Sequence, residues 1–518
     1  MERLMGTEIE YGLYIDGVDL VDLVDEARAV VASWPGQFAA PWDYSRENPL
    51  RDLRGGYASR LATDPRDDRY ERPSSRRLTP HENHVDLVLP NGARLYQDHG
   101  HPEYSTPECR SLFDLVAHER AGERIVRECA RRYARRTHHQ VTLYKNNTDF
   151  HGMSYGAHEN YLVRRDVPFE QLLSGILPFL VTRQIFAGAG KVGVEGEKNE
   201  AGTIPYQLSQ RADFFTELAG VDTLYKRPLI NTRDEPHADP ARFRRFHVIA
   251  GDANMSEYAL ALKLGTTALV LSLIESGWGP NLELKAPVQA VRHISRDPTW
   301  RWEVELTGGR TMPAVEIQRV YLEAAQERYA GQDGEDEEAD WVLREWEAVL
   351  DGLETDPERL ADRLDWVAKQ GLLASFIEAE GLDWSDERLL SLDLAYHDLE
   401  PERGLYSALE ADGAVRRVTT DEQIRKAIEC PPADTRAYLR GLCVSQLGTS
   451  LRSLTWSRIV LDNHDTEVVL DLSDWVDDRV ATRNRAFADA EAEVTPVGIK
   501  QAIEQPIDGD SNSEDEEV

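Results

Sequence analysis

The stretch of residues 91–108, NGARLYQDHGHPEYSTPE, constrains the fold most, because it places polar side chains on a segment whose pattern predicts a strand. An apolar run, a Pro-Asn-Gly turn and the segment ARLYQD together are typical of a β-hairpin. Alternate residues of a strand face the same side, so Arg94, Tyr96 and Asp98 share one face. Burying such groups side by side is costly. We therefore expect this face to be either a solvated strand edge or a functional surface.

A second predicted strand adds two acidic residues. Residues 4–15, LMGTEIEYGLYI, alternate between apolar and polar positions, which puts Glu8 and Glu10 on one face. Two carboxylates so close repel each other unless a cation lies between them. An exposed strand face is the ordinary interpretation, and a platform for a divalent metal ion is the functional one.

Composition limits the class of protein. The chain has 518 residues and is 41% hydrophobic, which predicts a globular protein with more than one domain. It has no transmembrane-length apolar run and no apolar signal-peptide segment, so we expect a cytoplasmic protein. The four cysteines form no C-x-x-C pair, which favours free thiols over disulfides or a zinc site. A formal net charge of −34 argues against binding to nucleic acid or anionic membrane.

Three segments are predicted to lie outside the folded core. Residues 41–84 are rich in Arg, Asp, Pro, Gly and Ser, and an irregular segment of this length is typical of a lid or a disordered insert. Its HENH sequence is one residue too short for the HExxH zinc motif. The acidic runs at 331–340 and 504–518 predict a solvated loop and a disordered tail.

The chain lacks the usual nucleotide-binding motifs. GAGKVG at 188–193 matches G-x-G-x-x-G, but it follows a predicted helix and leads into another glycine-rich segment, so a helix end and a loop are expected. No Walker A sequence occurs. Any ATP site must therefore be built without a P-loop.

Periodicity predicts the remaining elements. We expect helices over 17–33, 111–136, 168–186 and 258–277, the last capped by Ser256. Strands are expected over 141–147, 154–165, 206–215 and 244–250. A small β-region over 280–310, mostly helical structure over 313–380 and a small αβ unit over 451–472 complete the prediction.

The unusual polar residues point to a metal-dependent site if their strands are neighbours in one antiparallel sheet. Glu8, Glu10, Tyr96 and Glu103 offer hard oxygen ligands, which suit Mg²⁺ or Mn²⁺ better than zinc. His158 and His237 could complete a second metal position. Two metal ions with nearby arginines would neutralise a triphosphate and the charge that develops in phosphoryl or acyl transfer. Asp98, flanked by candidate ligands, is then a nucleophile or a base. Each residue alone has an ordinary explanation, such as a core histidine for His158.

Ten motifs in order resemble the family of Pup ligases and Pup deamidases of actinobacteria. The motifs are GTEIEYG, NGARLYQDHGHPEYSTPEC, LYKNNTD, SYGAHENYL, LPFLVTRQ, QLSQRADF, INTRDEPHAD, HVIAGDANMSE, LKLGTTALVL and PPADTRAYLRG. The resemblance implies an α+β, glutamine-synthetase-like large domain with a curved antiparallel sheet packed by helices, and a small C-terminal αβ domain. We expect these domains at 1–440 and 441–503, followed by the tail.

Two features resemble the deamidase branch of the family. The insert carries WDYSRENPLRDLRG, and the sequence DHGHPEYS has the shorter form that is similar to the deamidases. This implies hydrolysis of the C-terminal glutamine of Pup, a small protein modifier, and removal of Pup from tagged lysines. A Pup–protein ligase and a non-catalytic regulator that sequesters Pup remain alternatives.

The resemblance also implies roles for individual residues. Asp98 resembles the catalytic aspartate, with ATP (or ADP plus phosphate) and Mg²⁺ as cofactors. One metal site would use Glu8, Tyr96 and Glu103, and the other Glu10, His158 and His237. Nucleotide contacts would come from Arg94, Thr106, Arg233, Arg436 and Trp456. Because Pup-like modifiers are acidic, we expect a basic patch of Arg211, Arg244 and Arg245 to bind Pup. The protein is expected to be a monomer that acts on Pup and pupylated proteins.

Overall fold

The computed structural model describes residues 3–19, 22–36, 42–62, 85–195, 204–223, 225–329, 336–464, 466–477, 479–489 and 494–504. Three predictions therefore lie wholly or partly outside the described residues. They concern the insert beyond residue 62 with its HENH sequence, residues 331–335 of the acidic run, and the tail after residue 504.

The strands build one large sheet and four small ones within the described residues. The strands are β1 (Met5–Glu10), β2 (Gly12–Ile15), β3 (Leu87–Val88), β4 (Arg94–Asp98), β5 (His101–Ser105), β6 (Val141–Tyr144), β7 (Ala157–Arg164), β8 (Lys191–Val192), β9 (Tyr206–Gln207), β10 (Glu217–Gly220), β11 (Pro228–Asn231), β12 (Phe243–Val248), β13 (Glu303–Glu305), β14 (Thr311–Pro313), β15 (Leu451–Leu454), β16 (Arg458–Asn463) and β17 (Thr466–Asp471). The large sheet has the order β10-β11-β12-β7-β1-β5-β4-β3. Its pairs are antiparallel except β10 with β11, so the predicted α+β fold with a mainly antiparallel sheet is confirmed.

Helices cover one face of this sheet. The helices are α1 (Leu23–Val31), α2 (Leu112–Thr137), α3 (Phe169–Thr182), α4 (Gln184–Ala187), α5 (Glu257–Glu275), α6 (Pro287–Arg296), α7 (Ala314–Tyr329), α8 (Glu337–Thr355), α9 (Asp365–Glu380), α10 (Arg388–Tyr396), α11 (Leu405–Ala411), α12 (Asp421–Glu429), α13 (Ala437–Leu447), α14 (Arg479–Asp489) and α15 (Pro496–Glu504). Met5, Tyr161 and Phe246 of the sheet share a core with α3 and α5. Because side chains alternate along a strand, the other face of the same strands is left for polar residues.

Helix α5 lies at the centre of the protein. Its N-cap is Ser256, as predicted, and the Ser256 side chain accepts a hydrogen bond from the backbone N–H of Ala259. The helix is long and apolar enough to cross a membrane, but 94% of its apolar window is buried inside the protein. It is therefore a core helix that is apolar all round.

Several predicted elements differ from the structure. Residues 4–15 form two strands in different sheets, and the helix predicted over 17–33 begins only at Leu23. The strand predicted over 206–215 shrinks to β9, since Ser209 and Gln210 donate hydrogen bonds to Asp252 instead of joining a sheet. The predicted β-region over 280–310 contains helix α6 before the hairpin of β13 and β14.

The described part of the insert contains ordered structure, and the choice between a lid and a disordered insert stays a prediction. Residues 42–62 contain a short 3₁₀ helix, Tyr44–Arg46, and are held to the rest of the protein by backbone contacts. Trp42 pairs with Leu454 in an isolated bridge, and the backbone N–H of Leu53 donates to the carbonyl of Thr232. The acidic run was also predicted as a loop, but its residues 337–340 form the first turn of α8, where acidic side chains favour the helix dipole.

The C-terminal region has its own hydrophobic core. The antiparallel sheet of β15, β16 and β17 packs against α13, α14 and α15 around side chains such as Leu439, Ile459 and Val480. The predicted domain boundary at 440/441 falls inside α13, and the C-terminal core also includes Trp42 and Val88, so the division into two domains stays a prediction.

Candidate active site

Five neighbouring strands bring the predicted polar residues to one face of the large sheet. β1 pairs with β5 on one side and β7 on the other, so Glu8 lies opposite both Ser105 and His158. Glu103 of β5 lies opposite both Glu10 and Tyr96. A cavity of about 160 Å³ opens over this face. Its lining includes Glu8, Glu10, Tyr96, Asp98, Glu103, His158, Arg245 and His247.

The first group of candidate metal ligands consists of Glu8, His158 and His247, whose ligand atoms lie within 4.8 Å of one another. The Oε2 atom of Glu8 is 3.2 Å from Nδ1 of His158 and 3.5 Å from Nε2 of His247. Burial and the nearby Arg245 lower the pKa of His247 to about 3, which keeps its imidazole neutral and able to bind a metal ion. Burial favours the neutral form of Glu8, but its contacts with His247, His158 and Arg245 hold the pKa well below its ordinary value.

The second group consists of Glu10, Asp98 and Glu103, again with ligand atoms within 4.8 Å of one another. Burial and the charges of Asp98 and Glu10 raise the pKa of Glu103 well above its ordinary value. The Tyr96 hydroxyl donates a short hydrogen bond to Glu103. Three converging carboxylates repel one another, and a hard divalent cation between them would remove that repulsion. The donor set therefore fits Mg²⁺ or Mn²⁺.

Asp98 differs from the other two carboxylates because a histidine lies beside it. Nδ1 of His99 lies 2.7 Å from Oδ1 of Asp98. Burial favours the protonated form of Asp98, but His99 holds the pKa of this carboxyl below its ordinary value. Asp98 is therefore an ionised carboxylate at the mouth of the cavity, as a nucleophile or base requires.

The structure groups the ligands differently from the prediction. Glu8, not Glu10, contacts His158, because the register of β1 and β7 places these two residues opposite each other. His247 takes the place that was predicted for His237. His237 lines the cavity but belongs to neither ligand group. His247 was missed, although it lies two residues after Arg245 on β12 and so shares its face.

The predicted basic patch is only partly present. Arg245 lies on the site face, where its guanidinium contacts Asn160 at 3.1 Å and Glu235 at 3.3 Å. Arg211 also lines the cavity, and burial together with the nearby Arg227 lowers its pKa to about 9. Arg244 is the neighbour of Arg245 on a strand and therefore faces the other side, where it donates to the carbonyl of Arg165. Arg244 does not line this cavity, and its predicted contact with Pup stays a prediction.

The residues predicted to contact nucleotide lie in two adjoining cavities. A second cavity of about 90 Å³ is lined by Thr106, Arg436 and Trp456, and it shares Glu8, His237 and Arg245 with the first. Arg94 and Arg233 line only the larger cavity.

Two of these arginines are held by neighbours. Nε of Arg436 donates to Glu108 at 2.6 Å, which fixes Arg436 at the wall of the smaller cavity. The Arg94 guanidinium is stacked between the rings of Trp42 and Tyr96, at 4.1 and 3.9 Å from their centroids.

The described part of the insert borders the same cavity. Glu47 lines the cavity, and its carboxylate accepts a hydrogen bond of 2.7 Å from Nε1 of Trp42. The backbone N–H of Asn48 donates to Glu235, which in turn contacts Arg245. Asp52 forms an isolated bridge with Arg233. These contacts place residues 42–62 at the rim of the site. The sequence alone did not show that Glu47 lines the cavity.

Comparison with known proteins identifies the family. A sequence profile described as Pup-ligase protein matches residues 3–460. The depupylase of Acidothermus cellulolyticus is 45% identical over 473 residues, which cover 89% of this chain and 91% of that protein. The Pup deamidase/depupylase of Mycobacterium tuberculosis is 42% identical over 474 residues and covers the same shares. The Pup–protein ligase of Rhodococcus opacus is 42% identical over 405 residues, with 76% of this chain and 88% of that protein covered.

Solved structures lead to the same family. The Pup ligase PafA in complex with Pup has a TM-score of 0.74 and 34% identity, with 98% of both chains covered. PafA in complex with ADP has a TM-score of 0.69 and 38% identity, with 79% of this chain and 90% of that chain covered. The sequence relatives, the shared fold and the polar face of the large sheet establish that the chain belongs to the Pup-ligase protein family.

Proposed function

We propose that the protein is a Pup deamidase and depupylase. It hydrolyses the side-chain amide of a C-terminal glutamine of Pup and the isopeptide bond between Pup and a lysine of a tagged protein. The observation that carries this proposal is the extent of the match to relatives with these activities. The Acidothermus depupylase matches 89% of this chain, whereas the Rhodococcus ligase matches 76%. The insert motif WDYSRENPLRDLRG, which resembles the deamidase branch, supports the same choice.

Both reactions break one carbon–nitrogen bond and form one carbon–oxygen bond. The nitrogen leaves with an added proton, as ammonia in deamidation and as the lysine amine in depupylation. Asp98 either attacks the carbonyl carbon directly or orients the water or phosphate that attacks it. In each route the carboxylate must be ionised, which agrees with the lowered pKa of Asp98.

The two ligand groups would hold the metal ions and place a nucleotide beside Asp98. Glu8, His158 and His247 would bind one ion, while Glu10 and Glu103 would bind the other. When bound, Mg²⁺ neutralises the phosphates of the nucleotide. Among this chain's residues, Arg436 and Trp456 would contact the nucleotide in the smaller cavity. The solved complex of the related PafA with ADP supports a nucleotide here. Because amide hydrolysis is downhill, we propose that ATP, or ADP plus phosphate, is a structural cofactor.

Pup is the proposed macromolecular partner. The solved complex of PafA with Pup supports a Pup-binding surface on this fold. An acidic modifier needs local cations in a chain of net charge −34, and Arg211 and Arg245 supply them at the cavity. We propose that the enzyme acts as a monomer in the cytoplasm.

The test is to incubate the protein with Mg-ATP and Pup ending in glutamine, followed by intact mass measurement. We expect Pup to gain about 1 Da, the change from an amide to an acid that hydrolysis must produce. The alternative is a Pup–protein ligase. Unchanged glutamine-ended Pup, together with conjugates formed from glutamate-ended Pup and a lysine substrate, would establish the ligase instead.

A further inference from the structure

The turn that follows Asp98 contains a histidine with a positive φ. Strands β4 and β5 pair so that Asp98 lies opposite His101, which leaves His99 and Gly100 as a two-residue turn. Both turn residues have positive φ, 43° for His99 and 89° for Gly100. A hairpin turn of this kind normally carries Asn-Gly, because asparagine tolerates a positive φ better than most residues. Histidine also adopts a positive φ more often than most residues, as His138 and His464 do here, so a further role for His99 depends on the contacts of its side chain.

The strained backbone places the imidazole against the proposed catalytic carboxylate. Nδ1 of His99 lies 2.7 Å from Oδ1 of Asp98, within hydrogen-bonding distance. The two side chains are 37% and 40% exposed, so the pair lies at the open end of the cavity. The side-chain oxygen of Gln97 accepts hydrogen bonds from the backbone N–H groups of His99 at 3.1 Å and Gly100 at 2.7 Å. The turn is thus held in one conformation.

Turn stability alone does not account for this arrangement. A hydrogen bond between half-exposed groups contributes on the order of 1 kcal/mol or less, and Asn-Gly would form the turn with less strain. Asp98, in contrast, has a side chain that is 40% exposed and can adopt other rotamers, and the imidazole of His99 lies close enough to limit them.

We propose that His99 is a positioning residue for Asp98. By donating to Oδ1, His99 fixes the rotamer of Asp98 and leaves Oδ2 directed to the reacting carbonyl or to the group that attacks it. This inference rests on the proposed function of Asp98, but it names a residue to which that function assigns no role. His99 lies outside the two groups of candidate metal ligands within the described residues.

Two substitutions separate the hydrogen bond from the backbone conformation. His99→Gly tolerates the positive φ and removes the donor, whereas His99→Asn tolerates the positive φ and keeps a donor nitrogen at the same distance from Cβ. For His99→Gly we expect kcat to fall about 10- to 100-fold with KM for Pup within about twofold, since loss of a residue that orients a reacting group has effects of this size. His99→Asn should recover kcat to within about threefold of the wild type.

The test of the positioning role is to measure the deamidation kinetics of the wild type, both His99 variants and Asp98→Asn. Wild-type kcat in His99→Gly, or an equal loss in both His99 variants, would overturn the positioning role while leaving the proposed function intact. Inactive wild-type protein would instead refute the proposed function.

A measurement that does not depend on turnover tests the contact itself. In protein labelled with ¹⁵N-histidine, the Nδ1 resonance of His99 is identified by its absence from His99→Asn. We expect this resonance to shift in Asp98→Asn, and an unchanged resonance would show that the hydrogen bond is not formed.

Discussion

Two clusters of carboxylates in this protein are surrounded in opposite ways. Behind the sheet, the Lys145 ammonium lies 2.8 Å from both Glu119 and Glu123, with the lysine fully buried. In the site, Glu10, Asp98 and Glu103 converge, and no lysine or arginine forms a salt bridge with them in the described part of the chain. Unpaired buried charges are costly, so the first cluster is balanced by a lysine of the protein itself, whereas the carboxylates of the second cluster fit a bound cation.

The largest effect should come from removing the carboxylate of Asp98, the proposed nucleophile or base. Asp98→Asn retains the shape of the side chain but cannot act as a nucleophile or base. We expect kcat for deamidation and depupylation to fall by at least about 10³-fold, as for other essential catalytic groups. Nucleotide binding should be retained, because Asp98 lies outside the smaller cavity.

Turnover and nucleotide affinity should be measured together for Asp98→Asn. Asp351→Asn is a matched control, since Asp351 is exposed on α8 and paired with Arg319. Turnover of Asp98→Asn at the level of this control would remove Asp98 from the mechanism.

The next prediction concerns the buried cluster of Lys145, Glu119 and Glu123. Lys145→Met would leave Glu119 buried without its cation, whereas Glu123 would keep its contact with Arg120, and breaking a buried ion pair in this way costs about 3–5 kcal/mol. Urea denaturation measures the free energy of unfolding. The control is Lys285→Met, which removes an exposed pair with Glu305 and should cost about 0–1 kcal/mol. Equal losses in the two variants would mean that the buried network does not depend on its charge pairing.

A smaller effect compares the two faces of β12. Arg245→Met should weaken Pup binding about tenfold, because it removes a cation from the cavity wall, whereas Arg244→Met should change the affinity less than about twofold. Titration of fluorescently labelled Pup would measure both affinities. A larger loss for Arg244→Met would mean that Pup binds on the helix-covered side of the sheet.

Arg244 and Arg245 show which features of the site the sequence could predict and which it could not. Alternation along single strands identified Glu8, Glu10, Tyr96, Asp98 and Glu103, since residues two apart must share a face. Which residue faces which depends on register between strands that are distant in sequence, so the sequence did not show that Glu8 lies beside His158 and His247. The sequence analysis also did not recognise which residues of β12 face the cavity. It therefore included Arg244, which faces the other side, among the candidate site residues and missed His247.

The fold was predictable to a similar extent. Long periodic helices such as α2 and α5 were found, and the α+β class followed from the strand patterns and the family resemblance. Short elements were not, because tertiary contacts decide them. The polar insert residues 42–62 are ordered by Leu454 and Thr232, which are distant in sequence.

The last prediction tests whether the cluster of Glu10, Asp98 and Glu103 binds a cation. Burial and neighbouring carboxylates raise the pKa of Glu103 well above its ordinary value of 4.5, so the folded protein retains a proton there that the unfolded chain releases. Without metal, stability should therefore fall as pH rises from 4.5 towards the raised pKa, by up to about 1.4 kcal/mol for each pH unit. Glu103→Gln cannot ionise and should lack this fall, so it should be the more stable protein near neutral pH. Mg²⁺ should stabilise the wild type and reverse the order.

Urea unfolding across this pH range, with EDTA and then with Mg²⁺, measures both parts of the prediction. The exposed Glu305→Gln is the control, because its carboxylate is already paired with Lys285 at 2.6 Å. If Glu103→Gln and Glu305→Gln showed the same pH dependence and the same response to Mg²⁺, the site carboxylates would be no more strained than those on the surface. The contrast between the two clusters would then be one of geometry alone, and the cation site would have to be sought among Glu8, His158 and His247.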